Sequence, residues 1–482
     1  MRALQAFAPT IGIRPYVHMK YEQIEKNNII QKLFWFAVPL IIGNIVLLSY
    51  DLVDAIVISK FVGEVGLGAV SNAGQISSLV LLFFYGLCMG ASVIISEYFG
   101  AKDMIGVKLE VSTVFIAGSI FAISVSALIA SFADELFSIM QVPPEIVPDA
   151  ILYLRIACIG LPFVFVYNVF GNTLKAMGNS KVPTFFLALS AVINIILDLV
   201  FVVNFKWGVA GASIATVIAQ VVTCLITYTY VQISIKELRL GLKDMVVKRR
   251  LLIRTFRDGI ITAIQQAVPP LGRTLILAKV NTLGVAAVAA NGIISRIDNF
   301  AILPAQNIGM GIMTYVAQCR GAKRNDLIYE IFKKGAVLEM GFAAIIFSIL
   351  FFFKYDIMVA LSPKGSTEVI ELGNGYLHIM AFGYFLVGFV NTFQCFFRGM
   401  GNMSLTLYSS LINILIKVWV VYQFIDILKF DSVAWGTIIG WVVMNTYGYL
   451  MYRYYKKHKW KDVYIMPTEE QIKYYESKRE GS

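Results

Sequence analysis

The chain has 482 residues, of which 58% are hydrophobic and 15% charged. Soluble domains average roughly 25% charged residues, so this is a polytopic membrane protein and not a string of soluble domains. A net charge of +11 would point to nucleic acid in a soluble chain; here the basic residues lie between apolar runs and act as a topology signal, which excludes a nucleic-acid partner.

Residues 1–32 are polar and basic and are expected to form a cytoplasmic segment with no signal peptide. Apolar stretches of about 20 residues then meet the spanning requirement twelve times. The first six cover 33–59, 69–98, 111–132, 150–171, 183–204 and 208–233; the second six cover 259–280, 285–318, 335–353, 372–396, 405–425 and 433–452. This predicts a first lobe at 33–235, a basic cytoplasmic linker at 236–258, a second lobe at 259–453 and a cytoplasmic tail at 454–482. Most Lys and Arg fall in the N-terminal segment, the connections after even-numbered spans and the tail. Basic residues stay inside, so both termini are expected in the cytoplasm. The linker, with Lys236, Arg239, Lys243, Lys248, Arg249, Arg250, Arg254 and Arg257, reads as a segment held at the anionic inner surface.

The two halves repeat. GLGAVSNAGQISSL from Gly66 matches GVAAVAANGIISRI from Gly284, and YFGAK ending at Lys102 matches CRGAK ending at Lys323. LKAMGN (174–179) matches FRGMGN (397–402), and AVINIILD (191–198) matches SLINILIK (410–417). Both halves start inside, so they are parallel repeats of the kind that hold substrate near the midplane between halves.

The first span contains PLIIGNIVLLSYDLVDAIVIS (39–59), with carboxylates at Asp51 and Asp54. A charge at that depth costs at least about 2.5–3.5 kcal/mol on insertion scales, so such residues face a protein interior or water and mark ion or substrate sites. Either Asp could instead meet interfacial water at the helix end. Asn194 and Asp198 are four apart and share one face of the fifth span. Tyr153, Asn168 and Thr216 add hydroxyl and amide groups in the fourth and sixth spans. These oxygens suit a proton relay or a hard cation such as Na+, although Asn and Thr in membrane helices also simply bind helices together. In the second half Lys417 replaces Asp198, and Arg273, Arg296 and Asp298 lie within spans, so a cation site is expected in the first half only. Pro39, Pro162, Pro269, Pro270 and Pro304 permit bends. Single cysteines and scattered histidines show no metal or redox spacing. No phosphate loop or nucleophile constellation appears, so the expected protein is not an enzyme, needs no cofactor and draws on an ion gradient.

SYDLVDAIVISKFVG (49–63), SEYFGAKD (96–103), YNVFGNTLKAMGNSKVP (167–183), NIILDLVFV (194–202), AANGIISRIDNFAILPAQ (289–306) and AQCRGAKR (317–324) resemble multidrug and toxic compound extrusion (MATE) transporters of the DinF-like prokaryotic branch. The resemblance implies an all-α integral membrane fold with twelve transmembrane helices in two pseudo-symmetric six-helix lobes, as in the wider MOP superfamily. It implies export of drug-like organic compounds, cationic or amphipathic, in exchange for H+ or Na+. Asp54, Asn194, Asp198 and Thr216 match that branch's coupling positions, including an implied Na+ site; Tyr50, Tyr153 and Asn168 match its polar network. Asp51 stands where an Asn is usual. The acidic positions that the NorM-like branch uses in helices seven and ten are absent, and Gln265, Gln266 and Asn391 lie in those spans. The expected setting is a prokaryotic plasma (inner) membrane, with lipid as neighbour and a monomer as the unit. The alternative is a flippase for lipid-linked sugars or cell-wall precursors, from the same superfamily.

Overall fold

A computed structural model of the protein describes residues 25–362 and 366–458; most of the expected N-terminal segment and of the tail lies outside the described residues. The first half contains α1 (Ile29–Phe61), α2 (Glu64–Gly100), α3 (Met104–Ser131), α4 (Val147–Ala176), α5 (Lys181–Asp198) and α6 (Gly208–Ser234). A two-turn helix, Ala133–Ile139, precedes α4, and a π-helical turn, Leu199–Asn204, continues α5. The second half contains α7 (Arg249–Val280), α8 (Val285–Gly321), α9 (Asn325–Leu361), α10 (Thr367–Gly399), α11 (Met403–Leu428) and α12 (Asp431–Lys457). The described residues contain no β-strand. At 1.5 Å per residue a helix such as α2 runs about 55 Å, well beyond a hydrocarbon core of about 30 Å.

Ten of these segments, α1–α6 and α8–α11, are long and apolar enough to cross a membrane among the described residues. The other two are as long but less apolar. Gln265, Gln266, Arg273 and two prolines interrupt α7, and Gly, Asn, Trp and Tyr residues dilute α12. The stretch read as a linker is partly helix: α7 begins at Arg249, so Arg249, Arg250, Arg254 and Arg257 belong to it.

The repeat is written into the backbone. Left-handed conformations fall at matched positions: Gly63 (φ 95°) and Gly284 (φ 99°), Lys102 (φ 62°) and Lys323 (φ 56°), Gly178 (φ 91°) and Gly401 (φ 77°). Asn179 and Asn402, in the matched MGN turns, each accept a backbone N–H three residues on, from Val182 and Leu405. The packing order repeats as well. α2 and α6 both pack on α4, and α8 and α12 both pack on α10.

Two compact units emerge, residues 42–263 and residues 25–41 with 264–458. The first half-helix of α1 therefore belongs with the second unit, and the first half-helix of α7 with the first. Small residues make the latter possible. A Cβ on Gly86 would lie 2.6 Å from the Ala263 nitrogen, and one on Gly90 would lie 2.8 Å from the Gly259 nitrogen. In lipid, with no hydrophobic drive between helices, such backbone-to-backbone contact is the main source of association.

Buried charge then fixes the register. Arg254 Nη2 donates to Glu97 Oε2 at 2.8 Å, Asp258 Oδ2 lies 3.9 Å from Arg254 Nε, and Thr255 donates to Glu110 Oε1. Arg254, Glu97, Asp258 and Glu110 are all buried, so Arg254 does not lie on a lipid surface. In the second unit, the first half of α1 packs through Leu33 and Phe36 against Gly311 of α8.

Gly86→Ala is expected to lower the melting temperature of the purified protein, consistent with overpacking costs of about 1–3 kcal/mol. Gly74→Ala, where an added Cβ meets nothing within 4 Å, is expected to be neutral or slightly stabilising. Equal melting temperatures for the two variants would contradict the close approach.

Candidate functional site

Within the first unit, α1, α5 and α6 bring one polar cluster together. Asp198 is the last residue of α5, and the π-helical turn starts immediately after it. Such a turn interrupts the α-helical phase, and π turns recur at functional sites. Downstream, Phe201 stacks on Trp207 at a ring distance of 5.0 Å, and Val202 packs with Val57, Ile58 and Ala212. The C-terminal part of α1 is thereby held against the π turn and α6, which sets Asp54 opposite Asp198.

Asn194 and Asp198 are 3% and 1% exposed. The Asp54 and Asp198 carboxyls lie close enough to share a hydrogen bond, and Asp198 Oδ1 has no other partner among the described residues. Asn194 bridges the cluster. With its amide nitrogen toward Asp198 it donates to Asp198 Oδ2 at 2.9 Å and to the Tyr50 hydroxyl at 3.1 Å, while its oxygen accepts from Thr216 N at 3.1 Å and Oγ1 at 3.3 Å. Turned over, its nitrogen instead donates to Thr216 Oγ1 at 3.3 Å. With Asp198 charged, only the first orientation avoids setting acceptor against acceptor. The Tyr50 hydroxyl bonds to Thr216 and neighbours Asp54, Tyr153 and Asp198.

Of the residues singled out from sequence, Asp54, Asn194, Asp198, Thr216, Tyr50 and Tyr153 thus share one place. Asn168 turns its amide to the Val164 carbonyl of its own helix at 2.9 Å. The Asp51 side chain lies outside the described structure.

The second unit holds its polar residues differently. Asp298 accepts from the hydroxyls of Tyr376, at 3.0 Å, and Tyr384, with Lys417 and Arg273 acting on it electrostatically. Arg296, two residues before it in the chain, is exposed. The tyrosines went unnoticed, although their spacing of eight places them on one face of α10. Gln265 is not an open ligand either. Its oxygen accepts from Arg398 Nη2 at 2.8 Å and Thr406 Oγ1 at 3.0 Å, and its nitrogen donates to Gln394 Oε1 at 3.0 Å and Ser410 Oγ at 3.2 Å.

Among the described residues, twelve long helices in two repeated halves, ten of them long and apolar enough to cross a membrane, define a polytopic membrane protein. The MatE family model matches residues 39–200 and 262–423, and the chain belongs to this family of multidrug and toxic compound extrusion transporters. "Probable multidrug resistance protein YpnP" of Bacillus subtilis is 26% identical over 449 residues, 92% of this chain and 98% of that one. "Probable multidrug resistance protein YoeA" of the same organism is 24% identical, covering 78% and 83%. Among solved structures, a MOP superfamily transporter from Pyrococcus furiosus, described under the words "reverse polarity of binding pocket suggests different function", superposes with a TM-score of 0.81. It is 21% identical, over 90% of this chain and 98% of that one. Members of this family are transporters and not enzymes.

Asp298 accepts hydrogen bonds from two hydroxyls and lies in the field of two cations. Asp298→Asn is expected to destabilise the protein, losing hydrogen bonds to a charged group worth about 1.5–3 kcal/mol, while the folded fraction transports at near wild-type rate. Flux per folded molecule, with melting temperature measured alongside, checks this; a full loss of transport at unchanged stability would contradict it.

Proposed function

We propose that the protein is a secondary active exporter of organic compounds, cationic or amphipathic, driven by H+ or Na+ through alternating access. The carboxyl pair Asp54–Asp198 is its coupling centre. The observation that carries the reading is the meeting of these two carboxyls, bridged by Asn194, at the π turn of α5.

Two negative charges at hydrogen-bond distance in a low dielectric repel strongly. The pair therefore takes up one positive charge, a proton shared between the carboxyls or a Na+ with Asn194 and Thr216 as further oxygen ligands. Loss of that charge leaves two carboxylates that must separate or be covered by a cationic substrate. Ion and substrate then compete for the same negative charge, and this differential affinity is the only lever by which an ion shifts a conformational equilibrium. Asn194 follows the change, since its amide turns over according to whether Asp198 presents an acceptor or a proton. Pro39 in α1 supplies the bend. In this reading both termini are cytoplasmic, the membrane is a prokaryotic plasma membrane and the unit is a monomer. Lys417 and Arg273 beside Asp298 are the observation that favours the second reading, a flippase for a lipid-linked anionic precursor.

Everted vesicles loaded with a fluorescent organic cation, with H+ and Na+ gradients imposed separately, test the reading. The wild type is expected to accumulate the cation with one of the gradients. Asp54→Asn and Asp198→Asn are expected to insert normally and to lose gradient-driven accumulation by at least tenfold. Near wild-type accumulation in both variants at matched expression would overturn the coupling centre. Independence from both gradients in the wild type would favour the flippase.

A further inference from the structure

Glu339 lies on α9 and is 1% exposed. Neither carboxyl oxygen has a hydrogen-bond partner in normal geometry among the described residues. The Thr392 hydroxyl on α10, itself without a partner, faces it closely enough to turn into a hydrogen bond. Glycines wall the group in. A Cβ on Gly309 of α8 would lie 3.8 Å from Glu339 Oε1, and one on Gly388 of α10 would lie 3.4 Å from Glu339 Cβ. One turn before Glu339, Gly335 packs on Ile312 of α8 and Leu33 of α1, so that side is apolar.

The groups that face Glu339 come from α10. They are the Thr392 hydroxyl, the Cys395 thiol and, beyond the thiol, the Arg398 guanidinium, since Cys395 interacts with both Glu339 and Arg398. From α8 the Gly309 backbone faces it. A bare carboxylate in such surroundings is very costly. One carboxyl and one hydroxyl offer too few oxygens for a hard metal cation, which leaves the proton.

We propose that Glu339 is a proton-exchanging site of the second half, additional to the Asp54–Asp198 pair, with Arg398 as the partner of its charged form. Thr392, Cys395 and Arg398 follow one stripe of α10 at spacings of three, so the guanidinium is within a side-chain movement of the carboxyl. In the structure Arg398 is engaged with Gln265 of α7. Pro269 and Pro270 follow one turn later in α7, where a helix bends because each proline removes a backbone donor. A bend that withdraws Gln265 removes one hold on the guanidinium and lets it turn to Glu339, whose proton leaves to water as the ion pair forms. Return of Gln265 breaks the pair, and Glu339 regains a proton. The positive charges of Lys417 and Arg273 argue against a cation beside Asp298, but they do not reach Glu339.

Proteoliposomes with ethidium as the probe, a pH difference of one unit, no Na+ gradient and the membrane potential clamped to zero measure the equilibrium accumulation ratio. Each coupled proton contributes a factor of about ten to that ratio per pH unit. Glu339→Gln, the isosteric neutral variant, is expected to bind ethidium normally and to reach a ratio about tenfold below wild type. Glu339→Asp, which keeps the acid, is expected to exceed Glu339→Gln by about tenfold and also serves if the glutamine variant fails to fold. An unchanged ratio in Glu339→Gln, or equal ratios in the two variants, overturns the proposal. The outcome is separable from that of the first-half centre. A loss in Asp198→Asn with none in Glu339→Gln leaves only the first-half reading standing; the converse leaves only the Glu339 site.

Discussion

A charge inside a membrane bundle persists only where something of opposite sign, or a proton, stays with it. That constraint orders the polar residues of this chain. Arg254 sits between Glu97 and Asp258 and thereby fastens the first half of α7 into the first unit. Asp298 is held by two tyrosine hydroxyls, with two cations nearby. Gln265 meets both ends of its amide with four side chains. Against these satisfied clusters, the Asp54–Asp198 pair stands out because its carboxyls face each other, and a pair of like charges cannot rest without a third party.

The two halves solve the same packing problem and then diverge. Three left-handed turn positions, the MGN-turn caps and the main helix pairings match, down to left-handed Lys102 and Lys323. What differs is the chemistry mounted on the repeat. Asp198 in one half corresponds to Lys417 in the other, so a duplicated scaffold carries a carboxyl pair on one side and a tyrosine–aspartate cluster with two cations on the other. The same backbone frame thus supports different polar chemistry in its two halves.

Much of this was legible in the sequence because membrane helices are read by length and apolarity, and because a carboxylate at mid-span is costly enough to be conspicuous. Asp54 and Asp198 were found that way; Asn194 followed from its spacing of four from Asp198, and Thr216 from its hydroxyl within a span and the family resemblance. Tyr50 was not visible from spacing, since a tyrosine in an apolar run reads equally well as packing, and only family resemblance pointed to it. Arg254 was assigned to a surface linker because charge density hid the helix register, which depends on Gly86 and Gly90 in a distant segment. The π turn after Asp198 leaves no compositional mark in a run of Leu, Val and Phe. The partners of Asp298 could not be read from its own span, because Tyr376 and Tyr384 lie far along the chain on α10. Glu339 escaped notice since its isolation is a property of glycines on α8 and α10.

The central claim is that ion and substrate compete for the charge of one carboxyl pair. Calorimetry of ethidium binding to purified protein, repeated in buffers of different ionisation enthalpy and with and without Na+, counts the ions released per substrate bound. The account predicts release of about one H+ or displacement of one Na+ in the wild type, and none from this pair in Asp198→Asn. Ethidium binding with the same ion release in wild type and Asp198→Asn would contradict it.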